Sequence, residues 1–494
     1  MEIVKSTMTP YKEALNCLSS LIIPRTRADA STIRFDLMFD YLKILELEGP
    51  VSQLNVIHVA GTKGKGSTCT FVESILRNCG FRTGLFTSPH LIDVRERFKI
   101  DGVEISQEKF LTNFWWCWNR LREKTNDDVP MPFHVCFLAL LAFKIFSVEK
   151  VDVAILEVGL GGKYDATNVV KAPIVCGISS LGYDHMEILG NTLGQIAGEK
   201  AGIFKQEVPA YTVPQPEEAM SVLRDQASHL SIPLRVVSPL DTEILKDQQL
   251  GLHGEHQYLN AGLAIALSKS WLQRTGHEES IFLNNTQNTL PEQFVRGLTM
   301  ANLPGRAQII SDPSFEQLVF YLDGAHTPES LEVCGKWFSS VVREETQSAK
   351  SCKSEQILLF TCLSVRDPRL LLPPLVNSCA SHGIRFTRAL FVLNQSAYNM
   401  FGAHATTQDE PQVDVSWQLT LQKVWDNLIH GGKGKKQEEL NTAKGDESSS
   451  VFPSLPLALN WLRENAQRNK SIRSQVLVTG SLHLVGDVLR LIKK

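Results

Sequence analysis

The stretch Val56–Thr68 reads Val-Ile-His-Val-Ala-Gly-Thr-Lys-Gly-Lys-Gly-Ser-Thr. An apolar, β-rich run enters a glycine-dense turn, and an amphipathic pattern (Phe71, Val72, Ile75, Leu76) leaves it: strand, loop, helix. Glycine lets backbone N–H groups close on an anion without a Cβ in the way. The helix start adds unpaired N–H groups and the positive end of its dipole, and Lys65 adds a mobile cation. The chemistry is the cradling of nucleotide phosphates by Gly61, Thr62, Gly64, Lys65, Gly66 and Ser67. The strict pattern G-x-x-x-x-G-K-[ST] puts glycine at 59 and a hydroxyl at 66. The chain has Val59 and Gly66, so the usual metal-binding hydroxyl is displaced to Ser67 or missing. The plain alternative is a glycine turn beside a solvated lysine, which the strand–loop–helix context disfavours.

Other polar residues fall where strands end, the side on which open parallel sheets bind ligands. Ser88 follows a strand over 82–87, Glu157 ends one over 151–158, and Asp184 and His185 follow one over 172–179. Hydroxyl, carboxylate and imidazole around a phosphate suit a magnesium or manganese ion bridging the phosphates, although imidazole is an unusual magnesium ligand. Glu157 also reads as a strand-end ion pair and His185 as a hydrogen-bonded loop residue. Lys200 closes a helix over 192–204; on the residues alone it is a solvated or dipole-facing cation. Asn260 lies in a helix over 255–274, where asparagine calls for a tertiary hydrogen bond. Arg306 follows the Pro304-Gly305 turn, placed to reach a phosphate. Asp323 ends Val319–Leu322 and opens Asp-Gly-Ala-His, so it accepts from a ribose hydroxyl or caps a helix.

The elements that must position these residues are alternating strands and helices, which predict an α/β protein with mostly parallel sheets. At 494 residues, 43% hydrophobic and 21% charged, the chain suffices for two globular domains. The first, 1–301, carries the phosphate loop. A turn-forming linker, 302–306, precedes a smaller second α/β series over 307–494, with strands over 307–311, 317–322, 356–362, 386–393 and 475–479. Residues 431–450 read as a mobile insertion, and 344–355 as a shorter loop of the same kind. A net charge of −3 leaves no global basic field for nucleic acid. The apolar run Val135–Phe143 stops at Lys144 and reads as a buried helix, not a membrane span. Ten cysteines without a C-x-x-C pair argue against zinc and for reduced thiols. Acidic residues among the first thirty fit neither a transit peptide nor a secretory signal, so a cytoplasmic monomer acting on small molecules is expected, with an organellar form from another start left open.

Together, His58–Thr68, Thr87–Leu91, Ile155–Asn168, Ser180–Lys205, Gly254–Ala264, Leu303–Arg306 and Tyr321–Ser330 resemble the folylpolyglutamate synthases of the Mur ligase superfamily, in the family's order and with its variant of the phosphate loop. Asp323-Gly324-Ala325-His326 resembles the eukaryotic branch. The resemblance implies a P-loop ATPase-like N-terminal domain and a Rossmann-like C-terminal one. It implies a ligase of one-carbon metabolism that uses ATP and Mg2+, with a monovalent cation also admitted, to join L-glutamate to tetrahydrofolate and its polyglutamates. Gly64–Ser67 would bind ATP phosphates, with Lys65 on the transferred one; Asn260, Arg306 and Asp323 would bind ATP as well. Ser88, Glu157 and His185 would hold magnesium. Lys200 would be carbamylated and ligate a second metal, and His326 would lie near the transferred phosphate. Ser88–Phe98 would help shape the folate site between domains that close over it. A dihydrofolate synthase acting on dihydropteroate is the nearest rival; a nucleotide switch would lack the second βα domain.

Overall fold

Apolar strands alternating with amphipathic helices build two sheets in the computed structural model, which describes residues 9–22, 35–245, 248–282, 289–348, 353–393, 414–430 and 448–493. The chain divides into two compact units, Met1–Leu303 and Pro304–Lys494. In the first, the strands are β1 (Val56–Ala60), β2 (Thr83–Phe86), β3 (Phe98–Ile100), β4 (Val103–Glu104), β5 (Val153–Glu157), β6 (Val175–Ile178), β7 (Ala210–Thr212) and β8 (Leu234–Val236). They lie in the order β4-β3-β2-β5-β1-β6-β7-β8. Val59 faces Glu157, Ala60 faces Ile178 and Phe86 faces Leu156 in parallel register. The register therefore brings the carboxyl ends of β1, β2, β5 and β6 to one edge, with Gly61, Ser88, Glu157 and Ser179 along it.

Every residue of β1 and β5 is buried, as in a sheet covered on both faces. Ile57, Val59 and Ile155 pack under helices Lys65–Asn78 and His256–Arg274, through Phe71, Ile75, Leu267 and Trp271. Val56, Ala154 and Leu156 face helices Gln107–Lys124 and His134–Glu149, through Phe114, Phe137 and Leu141. Val135–Phe143 thus lies in a core helix, and no described helix is long and apolar enough to cross a membrane. The antiparallel pair β3–β4 at the sheet edge is an element the sequence reading did not anticipate. Its strands are too short to show an alternation.

The second unit holds β9 (Gln308–Asp312), β10 (Phe315–Leu322), β11 (Lys353–Phe360), β12 (Arg388–Val392), β13 (Ser449–Phe452) and β14 (Ile472–Thr479). The order is β13-β12-β11-β14-β10-β9, parallel except for β9. The expected loop over 344–355 is replaced by regular structure at both ends: helix Pro328–Ser348 and β11 leave only 349–352 outside the described residues. Partners on β14 and on helix Leu455–Arg468 explain this. Glu345 accepts from Arg473 and Gln475, and Glu355 from Ser474 and Asn465, so polar residues that look loop-like have bonds. The expected insertion over 431–450 falls mainly on 431–447, outside the described residues. Its end is corrected, because Ser449 and Ser450 pair with Ala389 and Leu390 in β13, and Ser449 donates to Asp426.

His58, at the centre of β1, has no exposed surface. Its Nε2 lies 2.8 Å from Thr167 Oγ1, which donates to Asp165 at 2.5 Å. Asp165 also accepts the N–H groups of Gly159, Leu160 and Thr167. Burial, then the charge of Lys205, lowers the His58 pKa to about 3. The unfolded chain, at the ordinary value near 6.5, therefore binds the proton first as pH falls, and stability is lost from about pH 6.5 down toward 3. Each unit of that window costs roughly 1.4 kcal/mol. Denaturant unfolding of H58Q is expected to show a fall in stability between pH 6.5 and 4.5 that is roughly 2–3 kcal/mol shallower than wild type.

Candidate active site

The phosphate loop is held from three sides. Gly64 precedes helix Lys65–Asn78 with φ 86°, and a Cβ there would lie 2.2 Å from Asn260 Oδ1. Asn260 is buried and donates to Gln257, three residues back in the same helix, at 2.9 Å; this bond is local and not the tertiary one expected, while its carbonyl end abuts the loop. Gly61 has φ 147° with Ser179 Oγ 2.0 Å from the Cβ position. The N–H groups of Thr62 and Lys63 donate to Ser180 O at 2.9 and 3.0 Å, and Thr62 Oγ1 donates to Gly182 O at 3.1 Å. Lys63 pairs with Asp184 at 3.3 Å. Ser67 is buried in the first helical turn.

Two lysines meet at one carbonyl. Lys65 Nζ donates to Gly61 O at 3.1 Å, and Lys200 Nζ donates to the same oxygen at 2.9 Å. Burial, reinforced by the charge of Lys65, lowers the Lys200 pKa to about 7. The reading of Lys200 as a solvated helix-end cation is thus corrected: it is 4% exposed. Its helix, Leu193–Ala201, buries Leu193, Ile196, Ala197 and Ala201 as well. The spacing Ile196–Lys200 at i, i+4 was the available signal, because it puts the lysine on the apolar face.

Glu157 and Ser88 also meet. Ser88 N–H donates to Glu157 Oε2 at 2.9 Å. A Cβ on Gly66 would lie 3.5 Å from both Glu157 oxygens, and one on Gly159 3.6 Å from Ser88 Oγ. Carboxylate and hydroxyl therefore stand beside the loop that would carry the phosphates. His185, at φ 51° before helix Met186–Leu189, has its ring nitrogens 4.0 Å from Asp184 and 3.6 Å from Glu187. Among the described residues no three His, Cys, Asp or Glu side chains gather as a metal cluster. Magnesium does not need one, since one or two carboxylates, waters and substrate phosphates complete its shell. The hard oxygens of Glu157 and Ser88 fit that ion.

In the second unit, Asp323, Arg306 and His326 come together at the end of β10. Asp323 accepts the N–H groups of Ala307 and Ala325, both at 2.9 Å. Arg306 Nη1 lies 2.8 Å from the Cβ position of Gly324. His326 Nδ1 lies 2.8 Å from Gly324 O, and Arg366, which sequence reasoning missed, donates to His326 O at 2.7 Å. Arg366 lies on a loop some forty residues downstream, with no motif to mark it.

A phosphate loop closing β1 of a mostly parallel sheet, a carboxylate and hydroxyl beside it, and a second α/β unit define a two-unit α/β protein of the nucleotide-binding class. No protein-family model matches the chain. It is 59% identical over 98% of its length to a folylpolyglutamate synthase of Arabidopsis thaliana, covering 88% of that relative. It is 36% identical over 98% of its length to a mitochondrial folylpolyglutamate synthase of Bos taurus, covering 92% of it. A Mycobacterium tuberculosis folylpolyglutamate synthase solved with ADP shares the fold, with TM-score 0.72, 21% identity and 98% of both chains covered. The chain belongs to the folylpolyglutamate synthase family.

The Gly64–Asn260 contact is testable. In G64A the methyl meets Asn260 and the backbone keeps a left-handed φ. Overpacking of this kind costs roughly 1–3 kcal/mol, so thermal unfolding is expected at lower temperature, with nucleotide affinity falling alongside it in calorimetry.

Proposed function

We propose that the chain adds L-glutamate, through its amine, to the γ-carboxylate of tetrahydrofolate and its polyglutamates, with ATP as phosphoryl donor. A carboxylate is a poor electrophile. The γ-carboxylate oxygen attacks the γ-phosphorus of ATP, and the bond to the ADP oxygen breaks, leaving an acyl phosphate. The amine of L-glutamate then attacks the acyl carbon. Phosphate departs, the amine loses a proton, and an amide bond remains. The observation that carries this reading is the meeting of Lys65, Lys200 and Glu157 at one glycine turn, in a chain of this family.

Gly61, Thr62, Gly64, Gly66 and Ser67 offer N–H and hydroxyl donors to the phosphates, and Asn260 holds the loop in shape. Lys65 leaves Gly61 O to follow the transferred phosphoryl group, where a cation stabilises developing charge. Ser88, Glu157 and His185 are our candidates to hold Mg2+, which would offset phosphate charge and orient the phosphoryl group. Lys200, whose hold on its proton is weakened by burial and then by the charge of Lys65, is poised to add to CO2 as the neutral amine; loss of a proton gives a carbamate, an anionic oxygen donor for a second cation. Arg306 and Asp323 we assign to the nucleotide, and His326 to the vicinity of the transferred phosphate. Cys17, Cys69, Cys79, Cys117, Cys176, Cys334, Cys362 and Cys379 are free thiols, which suits a reducing compartment, and we place the enzyme in the cytosol as a monomer.

Purified protein with ATP and labelled glutamate is expected to extend tetrahydrofolate and leave dihydropteroate untouched. Activity on dihydropteroate alone would replace the reading with a dihydrofolate synthase. K65A is expected to lower kcat by roughly 10²–10³-fold or more; unchanged turnover would remove Lys65 from the mechanism. With 13C-bicarbonate, wild type is expected to show a carbamate carbonyl resonance that K200R lacks.

A further inference from the structure

Arg97 ends the short 3-10 turn Val94–Arg97. Its carbonyl accepts Thr87 N–H at 3.2 Å, which fixes its main chain beside Ser88 at the end of β2. Phe98, the next residue, is buried with its ring tilted against Phe86, so the main chain is anchored on both sides of the arginine. The guanidinium makes a single hydrogen bond to a described residue, Nε donating to Nδ1 of His90 at 2.9 Å. That nitrogen must present a lone pair, so His90 meets Arg97 as a neutral ring and not as a counter-ion.

The nearby carboxylates are committed. Asp93 is bound by Arg95 and Tyr11. Glu96 accepts the N–H groups of Leu91, Ile92 and Asp93. Glu157 accepts Ser88 N–H and faces the phosphate loop. Arg95, two residues away, illustrates the contrast, because it is held by a carboxylate, a phenol and a carbonyl. Arg97 makes no ion pair with any described residue, and its two Nη groups have no described partner. Burial weakens its hold on the proton, with Glu157 and Glu96 opposing from a distance. A guanidinium left without its anion is costly, and the planar edge formed by the two Nη groups matches a carboxylate in a bidentate pair.

We propose that Arg97 is a substrate-binding residue that pairs, through Nη1 and Nη2, with a non-reacting carboxylate of a glutamyl substrate. This rests on the ligase reading above. Two sources carry the same chemistry: the α-carboxylate of the terminal glutamate on the folate, and a carboxylate of the L-glutamate that supplies the amine. Either way, the arginine admits substrates whose glutamyl end is anionic and rejects neutral ones.

The test compares wild type, R97Q and R97K, with each glutamyl substrate supplied as the acid and as its α-carboxamide. R97Q is expected to raise KM for one acid substrate by roughly 10–100-fold, the range of a lost charge-assisted pair, while KM for ATP stays within about twofold. The carboxamide of that same substrate, poor for wild type, is expected to serve R97Q no worse than the acid does. A raised KM for tetrahydrofolate assigns the pair to the folate tail; a raised KM for L-glutamate assigns it to the amine donor. R97K, keeping charge without the fork, is expected to fall between. The proposal is overturned if wild type uses both carboxamides as well as the acids, a comparison that needs no variant. It is also overturned if R97Q raises KM for ATP as much as for the acids, or raises neither. Failure of wild type to incorporate glutamate at all marks a failure of the ligase reading instead.

Discussion

One backbone oxygen, the carbonyl of Gly61, receives both Lys65 and Lys200. Burial disfavours charge on the deeper amine, and the charge of Lys65 beside it adds to that. Lys200 is buried and brought to about pH 7, while Lys65 reaches up from the first turn of its helix. The carbonyl can take both only because Gly61 turns it inward, at a φ of 147° and with Ser179 against the glycine's bare face. The N–H groups of Thr62 and Lys63 are tied to Ser180 in the same turn. The shape of the phosphate loop, the state of the buried lysine and the reserve of positive charge are therefore one arrangement.

That arrangement needs the sheet beneath it. Parallel pairing of β1 with β5 and β6 brings Glu157 level with Val59, and Ile178 level with Ala60. A register slip of one residue would reverse every side chain and carry Glu157 to the other face. The apolar strands make such a slip costly, since each face is packed against its own pair of helices. The chain His58–Thr167–Asp165 adds a polar pin, tying the strand under the phosphate loop to the glycine loop after β5.

Much of this was legible in the residues, for physical reasons that differ between cases. The phosphate loop declares itself because glycine spacing, a β-branched run and an amphipathic run each reflect a separate local constraint. Glu157 and Asp323 show themselves as charges at the end of apolar strands. Asn260 is visible as a poor helix former in a helix, although its contact with Gly64 is not. Lys200 misleads, because a lysine near a helix end is normally solvated and its burial depends on what packs over Ile196 and Ala197. The β3–β4 pair was hidden by the shortness of its strands, and Arg366 and Ser449 were hidden for a reason related to that of Lys200. Their roles come from partners far along the chain, and no local pattern encodes a partner.

Gly66 stands where many phosphate loops carry serine or threonine, and the Glu157 carboxylate lies 3.5 Å from the point where that side chain would begin. Room for a carboxylate has replaced a built-in alcohol. Under the roles proposed here, the alcohol comes instead from Ser88, in the loop after β2, whose continuation leads through His90 to Arg97. A divalent ion in this enzyme would consequently take its shell from the nucleotide's cradle and from the acceptor's loop at once. Ion occupancy would then sense the arrangement of that second loop, a dependence that a phosphate loop carrying its own serine does not possess.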